Sequence, residues 1–441
     1  MMLTRRTFLK SGIIAMGMLT SGEAGLAAAE GDNSLFPAHT PLGEGQGIHP
    51  GRVVWTHDPK AIHWSGMDFW WKPENYDAER LMAMTRKGLM RLTGEDTPQK
   101  AWHALFAWRN AKNGREGGYR PGEKVAVKVN MNGAGENNDD PHGELGVSYG
   151  NPLLLQTLLR SMVRDGGVRP EDIVVFDTCR IFPDHMRKVC TEGDLAGVNF
   201  CYRRPGMPDD AVADEKARIH WAGDVDGIPT YFPTCLTEAD YLVNLANLKG
   251  HTWGLTLSGK NHFGTFINDE RRVTPAAAGL HPNIINGQMG GYSVLADLMA
   301  RKEIAGKSVL WMLDGLITAP SETVNISPEN AAWEMPPFNG GPASSLFFSQ
   351  DPVALDSVGA DFLVNEPNMR RHNGNMRDNT GMENYLHEAA LLPAPPSGTK
   401  YTDGHGANPG SLGVHEHWNN AREKLYSRNR GLKEGIELVR D

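Results

Sequence analysis

The chain has 441 residues, of which 40% are hydrophobic and 22% are charged. This composition is typical of a globular protein and excludes a disordered one, and the length allows one large α/β domain or two smaller ones. The net charge of −9 and the pI near 6.0, without a dominant basic patch, argue against nucleic acid as a partner.

The first 29 residues are predicted to be an export signal. Arg5 and Arg6 precede a short apolar run, and three alanines at 27–29 offer a cleavage site. The paired arginines, with Phe8-Leu9-Lys10 behind them, are similar to the twin-arginine type of signal. The apolar run is too short to serve as a stable membrane anchor. We therefore expect a soluble periplasmic or extracytoplasmic protein that uses the twin-arginine export machinery as a partner.

The remaining chain divides into an arm and one predicted domain. Residues 30–50 are rich in glycine and proline, which is typical of a linker or arm. A single α/β domain is predicted over residues 51–441. Its tail is predicted to be irregular from about residue 366 and to end in a helix that starts near His417.

Apolar strands alternate with helices in the middle of the chain. One helix is signalled by Asn151 as the N-cap and Pro152 in the first turn. The alternation favours a three-layer α/β sandwich with a mostly parallel, Rossmann-like central sheet covered on both faces. The strands expected in this sheet start near Lys124, Ile173, Tyr241, Val309 and Leu346.

Polar side chains occur at or just after the ends of these five strands. In open parallel sheets, ligands bind beyond the carboxyl ends of the strands. Helix caps and turns also favour Asp and Asn at such positions, but together the five sets predict a site. Asp177, Asp314 and Asp351 are the candidate ligands of a divalent metal. The full set is Lys128, Asn130, Asn132, Asp177, Arg180, Lys249, His251, Asp314 and Asp351.

The segment "GHTWGLTLSGKNHFG", from Gly250 to Gly264, follows the third of these strands. Its glycines allow sharp turns and a close approach of the backbone to a ligand. Lys260 offers a charge to a carboxylate, a phosphate or a developing oxyanion. His251 and His262 are candidates for proton transfer and complete the predicted catalytic set. The predicted ligand-binding residues are Lys249, Thr256, Asn261, Asn130 and Asn132.

Four segments together resemble the domain of unknown function 362 family, from about residue 51 to the "LGVHEHWNN" tail. They are "VAVKVNMNG", "DIVVFDTCR", "LVNLANLKGHTWGLTLSGKNHFGTF" and "SQDPVALDSVGADFL". Many members of that family carry a ferredoxin-like cysteine insert, which this sequence lacks. The spacing of its four cysteines also matches no zinc or iron–sulfur motif. An oxidising compartment would allow one disulfide among them.

Two functions are compatible with these residues. The first is an exported enzyme that acts on a small oxygen-rich anion or sugar as a metal-assisted hydrolase, isomerase or lyase. The second is a periplasmic protein that binds a solute or cofactor without turning it over. A pure binding site needs no cluster of titratable groups. The convergence of lysine, histidine and aspartate therefore favours the enzyme.

Overall fold

The computed structural model describes residues 36–441 except 135–145, 205, 224, 226–228, 253, 269–279, 286 and 377–379. The predicted export signal lies outside these described residues. The strands are β1 (Leu42–Gly43), β2 (Arg52–His57), β3 (Val125–Val129), β4 (Ile173–Asp177), β5 (Asn199–Tyr202), β6 (Ala213–Ile219), β7 (Thr230–Pro233), β8 (Tyr241–Asn247), β9 (Lys249–His251), β10 (Gly254–Thr256), β11 (Ile267–Asn268), β12 (Ser308–Gly315), β13 (Ser345–Ser349), β14 (Val414–His415) and β15 (Glu437–Arg440).

The α-helices are α1 (Ala78–Thr93), α2 (Pro98–Lys112), α3 (Pro152–Arg164), α4 (Asp184–Val189), α5 (Thr234–Thr237), α6 (Ser258–Asn261), α7 (His281–Ile285), α8 (Val294–Met299), α9 (Pro352–Asn365), α10 (Pro367–His372) and α11 (Thr380–Ala390). As the sequence predicts, Asn151 caps α3, where its Oδ1 accepts from the backbone N–H of Leu153 at 2.9 Å. In the described ranges, no helix is both long and apolar enough to cross a membrane.

The protein is a mixed α/β structure built on an eight-stranded sheet. The strand order is β15-β2-β13-β12-β8-β3-β4-β5. The five strands predicted from the sequence, β3, β4, β8, β12 and β13, all belong to this sheet, so that prediction is confirmed. Strand β13 pairs antiparallel with both of its neighbours, whereas every other pair is parallel. Seven strands therefore run in one direction and β13 runs against them.

Alternate residues of the central strands contribute to two separate hydrophobic clusters. In β3, Val125 and Val127 pack in the cluster that contains residues of α1, α2 and α3. Ala126, between them, packs in the cluster that contains residues of α8, α9 and α11. Because side chains alternate along a strand, this division buries both faces of the sheet.

The two ends of the chain differ from the sequence-based description. Residues 36–50, predicted to be a linker or arm, include β1, which pairs with β14 through Leu42 and His415. The segment from about residue 366 contains α10, α11 and β15, which joins the central sheet beside β2. The prediction of a helix that starts near His417 is wrong. Leu438 and Val439 pack in opposite clusters, which is the two-residue period of a strand.

All four cysteines lie in the described part of the chain, and none forms a disulfide with another.

Candidate functional site

A small polar pocket lies beyond the carboxyl ends of β3, β4 and β8. Seven of the eleven predicted site residues line it, and five further residues complete its wall. The lining residues are Asn130, Asn132, Asp177, Cys179, Arg180, His251, Thr256, Lys260, Asn261, Phe263, Gly264 and His281.

The segment after β8 forms one wall by folding back on itself. Strands β9 and β10 form a short antiparallel pair in which His251 lies opposite Gly254. Gly254 has a φ of 115°, a conformation that side chains rarely adopt. This turn brings Thr256 and the short helix α6 back to the sheet edge, where His251 already lies.

A buried carboxylate from α9 holds the start of helix α6. Asp356 accepts from the backbone N–H of Ser258 at 2.8 Å and from that of Gly259 at 2.9 Å. A Cβ on Gly259 would lie 2.5 Å from the hydroxyl oxygen of Tyr385, so only glycine fits there. These contacts satisfy N–H groups that the first turn of a helix leaves without partners, and they fix the position of Lys260.

Lys260 is 8% exposed and extends into the pocket. Its Nζ lies 3.0 Å from Nε2 of His281 and 4.3 Å from the ring centroid of Phe263. Burial lowers the pKa of Lys260 to about 7, although the charge of Glu322 acts in the opposite direction. In the part of the chain that the structure describes, no carboxylate lies within ion-pair distance of this lysine. Its ammonium charge is therefore available to a ligand.

A second buried lysine is neutralised within the protein. Lys128 on β3 is fully buried, and its Nζ donates to Oδ2 of Asp177 at 2.9 Å and to Oδ1 of Asn261 at 3.0 Å. A Cβ on Gly264 would lie 2.5 Å from Oδ2 of Asp177, so glycine lets the backbone pack against this carboxylate. Asp177 is thus the partner of Lys128 and does not offset the charge of Lys260.

The pocket also contains polar groups that the protein does not satisfy. Among the described residues, neither Oδ1 of Asn130 nor the hydroxyl of Thr256 has a hydrogen-bond partner, although both atoms are buried. Arg180 adds a guanidinium, which donates to Oδ1 of Asn132 at 3.1 Å. Leaving a buried polar group without a partner costs about 1–3 kcal/mol. A ligand that bonds to Asn130 and Thr256 would recover part of that cost.

His251, which lines the pocket, lies close to a carboxylate. Its Nε2 lies 3.6 Å from Oε1 of Glu322, whose other oxygen accepts from the backbone N–H of Thr252 at 2.7 Å. Burial, reinforced by the nearby charge of Lys260, lowers the pKa of His251 well below its ordinary value. The ring is therefore neutral near pH 7 and able to accept a proton.

Three predicted site residues lie beside the pocket and do not line it. His262 is fully buried and contacts Asn244 at 2.7 Å. It follows Lys260 by two residues, about 200° around a helix, so its ring points away from the pocket. Lys249 donates to the carbonyl oxygens of Asn132 and Ser148 and so ties two loops together. Asp314 accepts from the backbone N–H groups of Asn151 and Leu316.

The prediction that Asp351 lies at the same edge is wrong. Strand β13 runs antiparallel to its neighbours, so its carboxyl end lies at the opposite edge of the sheet. There Asp351 caps α9 by accepting from the backbone N–H of Ala354 at 2.8 Å, and it also accepts from the N–H of Gln46. Within the described residues, Asp177, Asp314 and Asp351 form no common group of metal-ligand atoms.

Sequence reasoning missed two polar residues of the pocket. Cys179 follows β4 between Asp177 and Arg180, so the strand-end pattern that identified its neighbours also indicates it. His281 begins α7 and lies 21 residues beyond Lys260 in the chain. It follows no strand of the sheet, and no local signal in the sequence identifies it.

The fold and the pocket define an α/β protein with a cationic, polar site at the carboxyl edge of a mostly parallel sheet. The family model of the domain of unknown function (DUF362) matches residues 125–361, which are 237 of the 441 residues, so the chain belongs to this family. This match includes the whole lining of the pocket. No curated protein matches the chain.

Proposed function

We propose that the pocket binds a small oxygen-rich anion and that the protein is an exported enzyme that acts on it. The observation that carries this proposal is the buried amine of Lys260, which has no carboxylate partner among the described residues and lies near Arg180. An anionic oxygen would neutralise both cations. The pocket encloses about 60 Å³, room for a small anion and far below the roughly 300–1,000 Å³ of larger ligand sites.

The proposed reaction begins with binding of the anion by Lys260 and Arg180. Asn130 and Thr256 would hydrogen-bond to the other oxygens or hydroxyls of the ligand. His251, neutral and oriented by Glu322, would accept a proton from the ligand. Isomerisation and elimination begin with such a proton transfer, whereas in hydrolysis His251 would instead accept the proton from the attacking water. The predicted divalent metal has no support from the three aspartates, and none of these steps requires it.

The proposal also includes twin-arginine export and the three-layer arrangement. The arginine pair at positions 5 and 6 supports export by the twin-arginine machinery into the periplasm. The two hydrophobic clusters support the three-layer order of helices, sheet and helices.

Binding is tested with sulfate, inorganic phosphate and carboxylates of two to four carbons, each titrated calorimetrically into the protein. Lys260→Met should reduce the affinity for the binding anion by tenfold or more, because a hydrogen bond to a charged group contributes about 1.5–3 kcal/mol. Lys60→Met is the matched control, since Lys60 is exposed and does not line the pocket. Equal affinities in the two variants would contradict the proposal.

Turnover is tested by incubating each bound anion with the protein and following it by NMR. We expect a chemical change that Lys260→Met and His251→Ala abolish and Lys60→Met retains. A ligand that binds through Lys260 but is recovered unchanged would identify a solute-binding protein and overturn the enzymatic part of the proposal.

A further inference from the structure

A second cluster of titratable side chains lies where the N-terminal arm meets the C-terminal segment. His39, Glu383, His387 and His415 place one ligand-type atom each within 4.8 Å of one another. All four lie outside the pocket described above and outside residues 125–361, which match the family model. They therefore need an explanation separate from the proposed function.

Three segments of the chain bring these residues together. The pairing of β1 with β14 places the arm that carries His39 beside His415. Glu383 and His387 are four residues apart on α11 and so share one face of that helix. The cluster thus joins segments that are more than 300 residues apart in sequence.

The tautomer of His415 is set by its neighbour in α9. The hydroxyl of Ser357 donates to the carbonyl oxygen of Val353 at 2.7 Å, so at 2.9 Å its oxygen can only accept from Nδ1 of His415. In a neutral imidazole only one of the two ring nitrogens carries a hydrogen. Nε2 of His415 therefore carries a lone pair, and this lone pair faces Oε1 of Glu383 at 3.2 Å. Two acceptors at this distance are stabilised by a cation between them.

His39 is oriented in the same way. Its Nδ1 lies 2.8 Å from the carbonyl oxygen of Thr40, which can only accept, so Nδ1 carries the hydrogen. Its Nε2 is buried and has no hydrogen-bond partner among the described residues. Histidines that bind metals characteristically donate their other ring N–H to such an acceptor.

Glu383 is held in place by a histidine outside the cluster. Its oxygens lie 3.2 Å from Nε2 of His417, whose Nδ1 lies 2.7 Å from Oδ1 of Asp361. The His417 ring therefore fixes the carboxylate of Glu383 from one side and leaves the other side to the cluster.

We propose that His39, Glu383, His387 and His415 bind one divalent transition-metal ion, with Zn²⁺ as the best fit. Three imidazole nitrogens and one carboxylate oxygen form a four-coordinate set of the kind that Zn²⁺ prefers, with bonds of about 2.0–2.2 Å. Ligand atoms around such an ion lie roughly 3.4 Å apart. Those of the cluster lie within 4.8 Å of one another, so the more distant ones must move closer. Because protein atoms fill all four positions, the ion is structural and clamps the arm to α11 and β14.

The test uses the full chain, purified without a histidine tag, treated with chelator and dialysed. After Zn²⁺ is added back and the excess is removed, we expect one Zn²⁺ per chain by elemental analysis. Adding Zn²⁺ to the metal-free protein should raise its melting temperature, and adding Co²⁺ instead should give the visible absorption of a four-coordinate Co²⁺ ion. His39→Ala is the most informative variant because the Nε2 of His39 has no hydrogen-bond partner among the described residues. Loss of a residue that only supports a metal ligand weakens metal binding by roughly 10–100-fold. Loss of His39, which is itself a proposed ligand, should weaken Zn²⁺ binding by more than this.

Two controls make the outcome specific. His405→Ala should bind Zn²⁺ as the wild type does, since His405 is 57% exposed and pairs with Glu303 away from the cluster. Lys260→Met should also retain the ion, because Lys260 lies in the other site. Glu383→Gln should not bind the Zn²⁺ ion. The melting temperature of metal-free His39→Ala shows whether that variant folds. Zn²⁺ binding that is absent, or that is equal in wild type, His39→Ala and Glu383→Gln, would overturn the proposal.

Discussion

Lys128 and Lys260 are both buried beside the pocket, but only Lys128 has a carboxylate partner in the described structure. Lys128→Met leaves Asp177 buried without its ion pair, which should cost about 3–5 kcal/mol of unfolding free energy. Lys260→Met removes a desolvated amine that pairs with no described carboxylate, so it should cost at most about 1–2 kcal/mol. Urea unfolding of the two variants measures the difference. A larger loss for Lys260→Met would show that this lysine is structural.

The low pKa of Lys260 also predicts how anion binding depends on pH. Burial lowers this pKa to about 7, so the ammonium form is half populated at pH 7, predominates below it and is lost as the pH rises. The affinity for sulfate, which does not titrate in this range, should therefore fall by up to about tenfold per pH unit above pH 7. Lys249 is also buried with a pKa of about 7 but does not line the pocket. Calorimetry on Lys260→Met should show a much flatter profile, whereas an unchanged slope would assign the effect to another group.

The short helix α6 depends on a partner that is distant in sequence. Asp356 of α9 accepts from the N–H groups of Ser258 and Gly259 and also from the hydroxyl of Ser258. Asp356→Ala should remove the whole cap, destabilise the protein by about 2–4 kcal/mol and weaken anion binding by displacing Lys260. Ser258→Ala removes only the hydroxyl and should cost about 1 kcal/mol. Unfolding and titration of both variants test this order, and equal effects would contradict it.

The strands could be predicted from the sequence, but their directions could not all be predicted. Apolar runs after Lys124, Ile173 and Tyr241 identified parallel strands, and the polar residues at their ends do converge. The run at Leu346 has the same appearance, yet the long connection from β12 lets it return antiparallel, which moves Asp351 to the other edge. Periodicity reports burial and carries no information on direction.

The positions of the individual site residues could likewise be predicted only in part from the sequence. The sequence places Lys260 and His262 in one polar segment, and only the turn of α6 decides that one enters the pocket and the other contacts Asn244. Tertiary packing brings His281 to the pocket, and it brings His39 and His415 to Glu383 and His387. Histidines at 415 and 417 and the four-residue spacing of Glu383 and His387 are weak signals by themselves.

At the scale of the whole molecule, the chain consists of a core, residues 125–361, that matches the family model, and of flanking segments before and after it. The match over residues 125–361 covers the pocket, whereas β2 and β15 extend the sheet from outside that range. The proposed metal ion would join two of these flanks, β1 and β14, to α11. Anion binding and metal binding are therefore expected to be separable by mutation, with the first carried by the core and the second by the flanks.

The paired arginines near the N-terminus also predict the cellular location of the chain. Export by the twin-arginine route requires the receptor to read the paired arginines, so replacing Arg5 and Arg6 together by lysine should leave the precursor in the cytoplasm although its charge is unchanged. Cell fractionation followed by N-terminal sequencing measures this, and the exported wild type should begin near residue 30. Lys10→Arg, which alters the same basic segment outside the pair, is the matched control and should be exported normally. Because the double variant preserves the charge and the apolar run, its normal accumulation in the periplasm would show that the arginine pair is not what directs export.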